Sequence, residues 1–257
     1  MQKRKAAALG TADFYMVLDL GANIAGNAKT EVHSQTNFLS DFILGSQDGL
    51  VNVLGIILGV SAATSDIRII FVASLAALGA ESISMGAVAY TSTLARRKQY
   101  LKELGREKQE MKDVPQTERK EVRDIFAGWG YKGEELESMT NHIVSNPKAW
   151  LEFMMSFELK LAPVKKSQPL YSFATVLLAT IFGSLIPVIP FLFLHNIISG
   201  MIASVVISGL ALFFIGYYEA KTTVGSIWKN GMQMLIIGLA AGLVGYLIGH
   251  FIGAVPI

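Results

Sequence analysis

Residues 170–218 read LYSFATVLLATIFGSLIPVIPFLFLHNIISGMIASVVISGLALFFIGYY, and none of them is Lys, Arg, Asp or Glu. A helix needs about 20 mostly apolar residues to cross the hydrocarbon core of a bilayer, so this stretch is long enough for two crossings. His195 and Asn196 stand near its middle and predict a short turn between two antiparallel membrane helices.

The rest of the chain adds three apolar stretches of similar length. The five predicted spans are 42–63, 67–94, 170–194, 197–218 and 231–254. Between the second and third spans, residues 96–166 carry 15 Lys and Arg and 12 Asp and Glu. This segregation predicts an all-α fold, a five-span transmembrane helix bundle with one charged helical insert. The predicted domains are an N-terminal cytoplasmic arm (1–40), transmembrane helices 1 and 2 (41–95), the insert (96–166) and transmembrane helices 3 to 5 (167–257).

The basic residues predict how the chain crosses the membrane, because Lys and Arg concentrate in cytoplasmic loops. If the N-terminus is cytoplasmic, the arm, the insert and the loop with Lys221 and Lys229 are cytoplasmic too. Of the 22 basic residues, only Arg68 then lies outside. The C-terminus is predicted on the far side, and residues 8–30 are predicted to be a retained segment at the membrane surface.

Some classes of function are excluded by what the sequence lacks. The chain has no cysteine, which excludes disulfides and thiol redox chemistry. Its net charge of +2 is too small to indicate nucleic-acid binding. The sequence contains no phosphate-binding glycine loop, nucleophile elbow or histidine-rich zinc motif. We therefore predict neither ATP-driven transport nor hydrolysis, and we expect no cofactor.

The insert is predicted to consist of helices that begin and end near proline or glycine. The second span continues without proline as far as Lys112, so we expect one long helix that leaves the membrane. Asp113 and Gln116 have the spacing of a capping box that opens the next helix. Asn146 followed by Pro147 is typical of an N-cap and a first helical residue. The three helices after the long one are predicted over 114–127, 134–145 and 147–161.

Glutamates recur three residues apart along these helices, a spacing that places two side chains on one helical face. Two Glu-x-x-Glu pairs occur, and two methionines precede a further glutamate. The residues are Glu107, Glu110, Glu118, Glu121, Met154, Met155 and Glu158. Carboxylates suit hard and borderline divalent ions, and thioethers soften a site. Taken alone, the pattern also fits a solvated charged face, so both interpretations stay open here.

Two carboxylates fall deep within the predicted spans, Asp48 in the first and Glu81 in the second. Acidic residues at that depth are costly and generally belong to an ion or proton pathway. Met85 lies one helical turn after Glu81, and Asn52 lies one turn after Asp48, so each can add a ligand on the same face. Glu81 is the candidate for proton coupling, because a proton-coupled carrier needs a group that titrates.

The fifth span carries a row of glycines at small-xxx-small spacing. They are Gly238, Gly242, Gly245, Gly249 and Gly253. Such a row allows two helices to approach closely. The partner is either another helix of the same chain or a second subunit.

Four segments of the chain resemble the vacuolar iron transporter family, the iron and manganese importers of plant and yeast vacuoles and their prokaryotic relatives. The segments are Ser40–Val51 (SDFILGSQDGLV), Ile83–Gly86 (ISMG), Asn146–Glu158 (NPKAWLEFMMSFE) and Pro187–Pro190 (PVIP), and the resemblance covers residues 33–250. It implies a homodimer of five-span subunits that exchanges ferrous iron for protons along a pathway at the dimer interface. It also implies a vacuolar membrane in a eukaryote or the cell membrane in a prokaryote.

The resemblance further implies roles for the candidate residues. Asp48 and Met85 would bind metal in the membrane pathway, and the five glutamates and two methionines of the insert would form a cytoplasmic metal site. One position departs from the family, because plant members carry a glutamate eight residues before the methionine, where this chain has Ala77. Glu81 lies one turn further on the same face. Either Glu81 substitutes for that glutamate or the proton-coupling chemistry differs.

The expected function is a proton-coupled antiporter that moves Fe²⁺ out of the cytoplasm, with Mn²⁺, Co²⁺ and Zn²⁺ as alternative substrates. Two other classes remain: a membrane-anchored metal sensor or store, and a di-iron carboxylate enzyme. Di-iron centres usually use Glu-x-x-His motifs, which the insert lacks. A sensor that is only anchored by its spans does not require carboxylates within them.

Overall fold

The computed structural model describes residues 33–223 and 225–253, and the regular secondary structure of these residues is entirely helical. We label the helices α1 to α8 in chain order. They are α1 His33–Ala63, α2 Ile67–Asp113, α3 Pro115–Gly128, α4 Gly133–Val144, α5 Pro147–Phe153, α6 Gln168–Phe193, α7 Ile197–Thr222 and α8 Ile227–Gly253.

The chain divides into two compact units, Met1–Asp41 and Phe42–Ile257. Of the first unit, only the start of α1 from His33 is described. The predicted membrane-surface segment at 8–30 therefore lies outside the described residues. The features discussed below belong to the second unit.

Five helices, α1, α2, α6, α7 and α8, are long and apolar enough to cross a membrane, which confirms the predicted five-span bundle. Their outer surfaces carry large apolar side chains such as Val72, Phe193 and Phe251, which are 69%, 75% and 69% exposed. Apolar surface on this scale is expected where lipid surrounds the helices. The chain is a multi-pass integral membrane protein.

Glycines hold α1 close to α6 on one side and to α8 on the other. A Cβ added at Gly183 of α6 would overlap the backbone carbonyl of Ser46, and one added at Gly249 of α8 would overlap that of Gly59. Gly245 packs in the same way against the backbone of Gly55. The close packing predicted for the fifth-span glycines is therefore confirmed. Four of them pack against α1 of the same chain, whereas Gly238 packs chiefly against Leu212 of α7.

Helix α2 is the longest element among the described residues, and it extends well past the membrane. Its 47 residues span about 70 Å at 1.5 Å per residue, whereas the hydrocarbon is about 30 Å thick. The helix is uncharged apart from Arg68 and Glu81 until Arg96, so its C-terminal part, up to Asp113, projects from the bilayer.

The predicted capping box at the start of α3 is wrong. The N-cap residue is Val114, which makes no side-chain cap, and Pro115 is the first residue of the helix. Asp113 instead ends α2, where its carboxylate oxygens accept hydrogen bonds from Gln109 Nε2 at 2.9 and 3.0 Å. The side chain is thus bonded within its own helix and does not cap the next one.

Helices α3 to α5 enclose a small hydrophobic core. Its buried residues are Val122, Phe126, Leu136, Ile143, Trp150, Phe153 and Met154. Glu137 of α4 fastens α4 to α3 through ion pairs with Arg119 and Arg123, each with a nitrogen–oxygen distance of 2.8 Å. The insert therefore has its own packed interior, which fixes the angles between its helices.

The last helix of the insert begins as predicted but ends differently. Asn146 Oδ1 accepts hydrogen bonds from the amides of Lys148 and Ala149 at 3.1 and 3.3 Å, which confirms the N-cap. The predicted continuation to Leu161 as an α-helix is wrong, because the chain forms a π-helical turn over Met154–Glu158. Lys160 then adopts a positive φ of 54°, which ends the helical path.

Candidate metal centres

The first candidate centre is a cavity within the membrane, of ≈ 1040 Å³, between α1, α2 and α8. Asp48 and Asn52 line it from α1, and Glu81 and Met85 line it from α2. The two residues on each helix are four apart and therefore share a face. Helix α8 contributes only apolar and glycine residues to this lining. Ala77 also lines the cavity, one turn before Glu81.

The polar groups of this cavity contact one another across the two helices. Asn52 Nδ2 donates a hydrogen bond to Glu81 Oε1, and the carboxyl group of Glu81 also interacts directly with that of Asp48. Two carboxylates in contact at membrane depth need a cation or a proton between them, because an unpaired charge there is costly. Spacing along α1 indicated Asn52 only as an additional oxygen ligand beside Asp48. Its hydrogen bond to Glu81 joins two helices, and spacing along one helix does not reveal such a contact.

The second candidate centre lies in the insert, where glutamates from three elements converge. Carboxylate oxygens of Glu107, Glu118 and Glu158 all lie within 4.8 Å of one another. Glu107 belongs to α2, Glu118 to the first turn of α3, and Glu158 to the end of the π-helical turn. Glu107 and Glu118 are buried, with exposures of 2% and 4%, and Glu158 is more accessible.

Two oxygens of this cluster are buried without a hydrogen-bond partner in the described part of the chain, Glu107 Oε1 and Glu118 Oε2. Unpaired buried carboxylate oxygens are energetically unfavourable. Three glutamates at this distance fit a divalent cation, which would supply the missing charge and satisfy the lone pairs.

The pKa values of the cluster reflect the same crowding. Glu107 lies 13 residues past the predicted end of the second span, about 20 Å along the helix and thus outside the hydrocarbon. Burial, followed by the hydrogen bond and charge of Glu118, raises the pKa of Glu107 to about 8. Burial and the charges of Glu121 and Glu118 raise the pKa of Glu158 to about 7. Bound protons therefore compete with a metal ion for these oxygens near neutral pH.

The remaining predicted glutamates flank this trio. Burial and the charges of Glu118 and Glu110 raise the pKa of Glu121. Glu110 forms an ion pair with Arg106, whose Nε lies 3.3 Å from Glu110 Oε2. Arg106 was not among the predicted residues, although its position four residues before Glu110 on one helix could have indicated the pair.

The two predicted methionine ligands are both buried. Met154 is 0% exposed and belongs to the hydrophobic core of the insert, and Met155 is 2% exposed. The π-helical turn that holds them is a rare backbone form that often occurs at functional sites. Met154 therefore has a packing role, and a ligand role for either sulfur stays a prediction.

The five-span bundle, with one group of carboxylates in the membrane and another on a projecting helical insert, defines a multi-pass membrane protein with two candidate metal sites. The model of the VIT family matches residues 39–250 of the chain. The chain belongs to this family. The family consists of transporters, so the chain is not an enzyme.

Three relatives illustrate the similarity. Vacuolar iron transporter 2 of Oryza sativa subsp. japonica is 36% identical over 214 residues, 81% of this chain and 87% of the relative. Vacuolar iron transporter 1 of Eucalyptus grandis is 33% identical over 233 residues, 86% and 94% of the two chains. Vacuolar iron transporter 1 of Arabidopsis thaliana is 33% identical over 213 residues, 82% and 85%. The family resemblance is thus confirmed over most of the chain.

Proposed function

We propose that the chain is a proton-coupled antiporter that moves Fe²⁺, with Mn²⁺ as a second substrate, out of the cytoplasm. This proposal rests on one observation: helix α2 carries one glutamate in the membrane cavity and another in the carboxylate cluster of the insert. Glu81 and Glu107 are 26 residues apart on α2, which corresponds to about 39 Å. The relatives named above are iron transporters by name, which favours Fe²⁺ as the transported ion.

In this proposal the insert, residues 96–166, is a cytoplasmic metal-binding domain. Glu107, Glu118 and Glu158 form its central ligand set, because their oxygens already converge. Glu110, Glu121, Met154 and Met155 complete it after local rearrangement. The insert raises the local concentration of metal at the cytoplasmic mouth of the pathway. The metal is the transported substrate here and not a resident cofactor.

The membrane cavity is the transport site in this proposal. Asp48 and Met85 bind the metal and replace part of its lost hydration shell. Glu81 exchanges a proton, and Asn52 holds its carboxyl group in place through the hydrogen bond described above. Because Glu81 contacts Asp48, a proton on Glu81 and a metal at Asp48 compete for the same space. That competition couples metal release to proton uptake.

The cavity also supports a homodimer. Its lining includes Asp48 and Glu81 and lies along an open groove of α1, α2 and α8. Carboxylates that face lipid are unfavourable, so a second copy of the chain covers this groove in the proposed dimer. The pathway then lies between the two subunits.

Metal flux into proteoliposomes tests this function. Vesicles with an acidic lumen should accumulate Fe²⁺ or Mn²⁺, and a protonophore should stop accumulation. Asp48→Asn should reduce flux by about tenfold or more, because it removes a charged ligand at membrane depth. Glu81→Gln should still bind metal, but its flux should no longer follow the pH gradient.

The matched control is Glu219→Gln, a carboxylate at the end of α7 that does not line the cavity, and it should transport as the wild type does. If Glu81→Gln keeps the wild-type rate and pH dependence, Glu81 is a structural residue. If the wild type binds metal but shows no flux, the chain is a metal sensor or store.

A further inference from the structure

Arg106 lies next to the carboxylate cluster of the insert and forms two ion pairs along α2. Its Nη1 is 2.9 Å from Glu103 Oε2, and its Nε is 3.3 Å from Glu110 Oε2. The Arg106 side chain is 52% exposed. It can therefore leave Glu110 for water without burying an unpaired charge, since exposed ion pairs are weak.

The charge of Arg106 reaches beyond its own helix. It acts on the carboxyl group of Glu121 in α3 and on that of Glu158 in the π-helical turn. One guanidinium thus interacts with four carboxylates of three elements around the cluster. Arginine stays protonated at all relevant pH values, so it competes with a metal ion under every physiological condition.

We propose that Arg106 is an internal competitor for Glu110 that sets the affinity of the insert for metal. The inference rests on the proposed function of the insert as a metal-binding domain. Glu110 Oε2 cannot bind both the guanidinium and a metal ion, so metal that recruits Glu110 displaces Arg106. When the metal leaves, Arg106 returns to Glu110.

This competition has a consequence for transport. A site that passes its ion onward must bind it strongly enough to capture it and weakly enough to release it. The buried trio of glutamates alone would favour tight binding. By holding Glu110 and adding positive charge, Arg106 weakens the site and speeds release. Arg106 is accordingly a positioning residue for Glu110 and does not contact the metal.

The experiment compares metal affinity in variants of the full-length protein in detergent, measured by calorimetry with Mn²⁺ and, without oxygen, with Fe²⁺. Arg106→Gln should tighten binding by about tenfold, as expected when a unit charge is removed within several ångströms of a divalent ion at the protein surface. Dissociation of the metal, followed by stopped-flow chelation, should slow correspondingly.

Lys108→Gln is the matched control. It removes the same charge from the same helix, and the described residues include no ion pair of Lys108. Its affinity should stay within about twofold of the wild type, because Lys108 is exposed and its charge is screened by solvent and salt. Arg106→Lys should give an intermediate affinity, since a lysine cannot bridge Glu103 and Glu110 as a forked guanidinium does.

The outcomes separate this inference from the proposed function. If the wild-type protein binds no metal in the insert, the proposed metal-binding domain is wrong and the inference is overturned with it. If the wild type binds metal but Arg106→Gln binds equally or more weakly, only the inference is overturned. A lower melting temperature with unchanged affinity would make Arg106 a helix-stabilising residue. Arg106→Lys supplies the same comparison if Arg106→Gln does not fold.

Discussion

The glutamates of the insert differ in whether a basic side chain balances their negative charge, and this difference determines their chemistry. Glu107, Glu118 and Glu158 face one another with few donors nearby, whereas Glu137 has two arginine partners. The pKa of Glu137 is lowered by its hydrogen bonds with Arg123 and Arg119, while those of Glu107 and Glu158 are raised. The glutamates of the insert are thus of two kinds: Glu137 ties helices together through its arginine partners, and Glu107 and Glu158 have raised pKa values because of burial and neighbouring carboxylates.

These raised values predict a strong pH dependence of metal binding. The pKa values of Glu107 and Glu158 are about 8 and about 7, so both side chains are protonated at lower pH. A metal ion must displace these protons, and the affinity for metal should therefore rise as the pH increases through this range. We expect the dissociation constant of Mn²⁺ to fall by more than about tenfold between pH 6 and pH 8. Calorimetry on the full-length protein in two buffers of different ionisation enthalpy measures both the affinity and the protons released.

Glu107→Gln is the informative comparison for this pH dependence, because it removes one titrating ligand and leaves the side-chain shape. It should bind metal more weakly and with a shallower pH profile. An affinity that does not change between pH 6 and pH 8 would show that the cluster is already ionised, and the convergence of the three glutamates would then need another explanation.

At the residue scale, the sequence predicted which glutamates converge, but it did not predict which of the candidate residues are held by other contacts. Spacing along each helix together with the family resemblance indicated Glu107, Glu118 and Glu158, and the structure brings their oxygens together. Spacing did not show that Glu110 is held by Arg106 or that Met154 lies in a hydrophobic core. Both outcomes depend on distances between or around helices, which periodicity within one helix does not contain.

Among the helices, glycine contacts decide how the spans assemble. Helix α1 is close enough to α8 for backbone to meet backbone at Gly55 and Gly245 and at Gly59 and Gly249. In a bilayer there is no hydrophobic force between spans, so such close packing is a main source of association energy. Because α1 carries Asp48, the same contact also fixes one wall of the membrane cavity.

A pair of alanine substitutions tests this packing. Gly249→Ala should destabilise the protein by about 1–3 kcal/mol, because its Cβ would meet the backbone of Gly59, which cannot rotate away. Gly79→Ala is the control, since no atom lies within 4 Å of the added Cβ. It should be neutral or stabilising by about 0.5–1 kcal/mol from helix propensity. Thermal unfolding of both variants in detergent gives the comparison, and equal melting temperatures would argue against a tight contact of α1 with α8.

The two ends of α5 show where the local sequence is enough to predict a helix boundary and where it is not. Asn146 and Pro147 predicted the start of α5 correctly, because a cap depends on residues within one turn. The prediction failed at the other end of α5, where the π-helical turn over Met154–Glu158 replaces regular helix. The side chains of Met154 and Met155 are buried at this turn. Helical propensity carries no information about such tertiary packing.

At the scale of the whole molecule, the number of spans follows from the sequence because lipid allows few alternatives. Backbone groups within hydrocarbon must be bonded internally, so long apolar stretches form helices, and five such helices are found within residues 33–223 and 225–253. The order of the helices in space does not follow from hydropathy. The position of α1 between α6 and α8 emerges from individual glycine contacts. Helix α2 then links the membrane cavity to the insert through one continuous backbone.

The direction of transport depends on the side of the membrane that holds the insert, and single cysteines test it. The chain contains no cysteine, so wild-type protein provides a blank for labelling. Ser65 lies in the short exposed link between α1 and α2, and Lys132 is exposed just before α4. The link between α1 and α2 is predicted to lie outside, because Arg68 is the only basic residue near it and the other basic residues lie on the opposite side. We therefore expect an impermeant maleimide to label Ser65→Cys in intact cells. Lys132→Cys should react only after the membrane is permeabilised. The reverse pattern would place the carboxylate cluster of the insert outside the cytoplasm, where it could not collect metal for export, and the proposed direction of transport would be wrong.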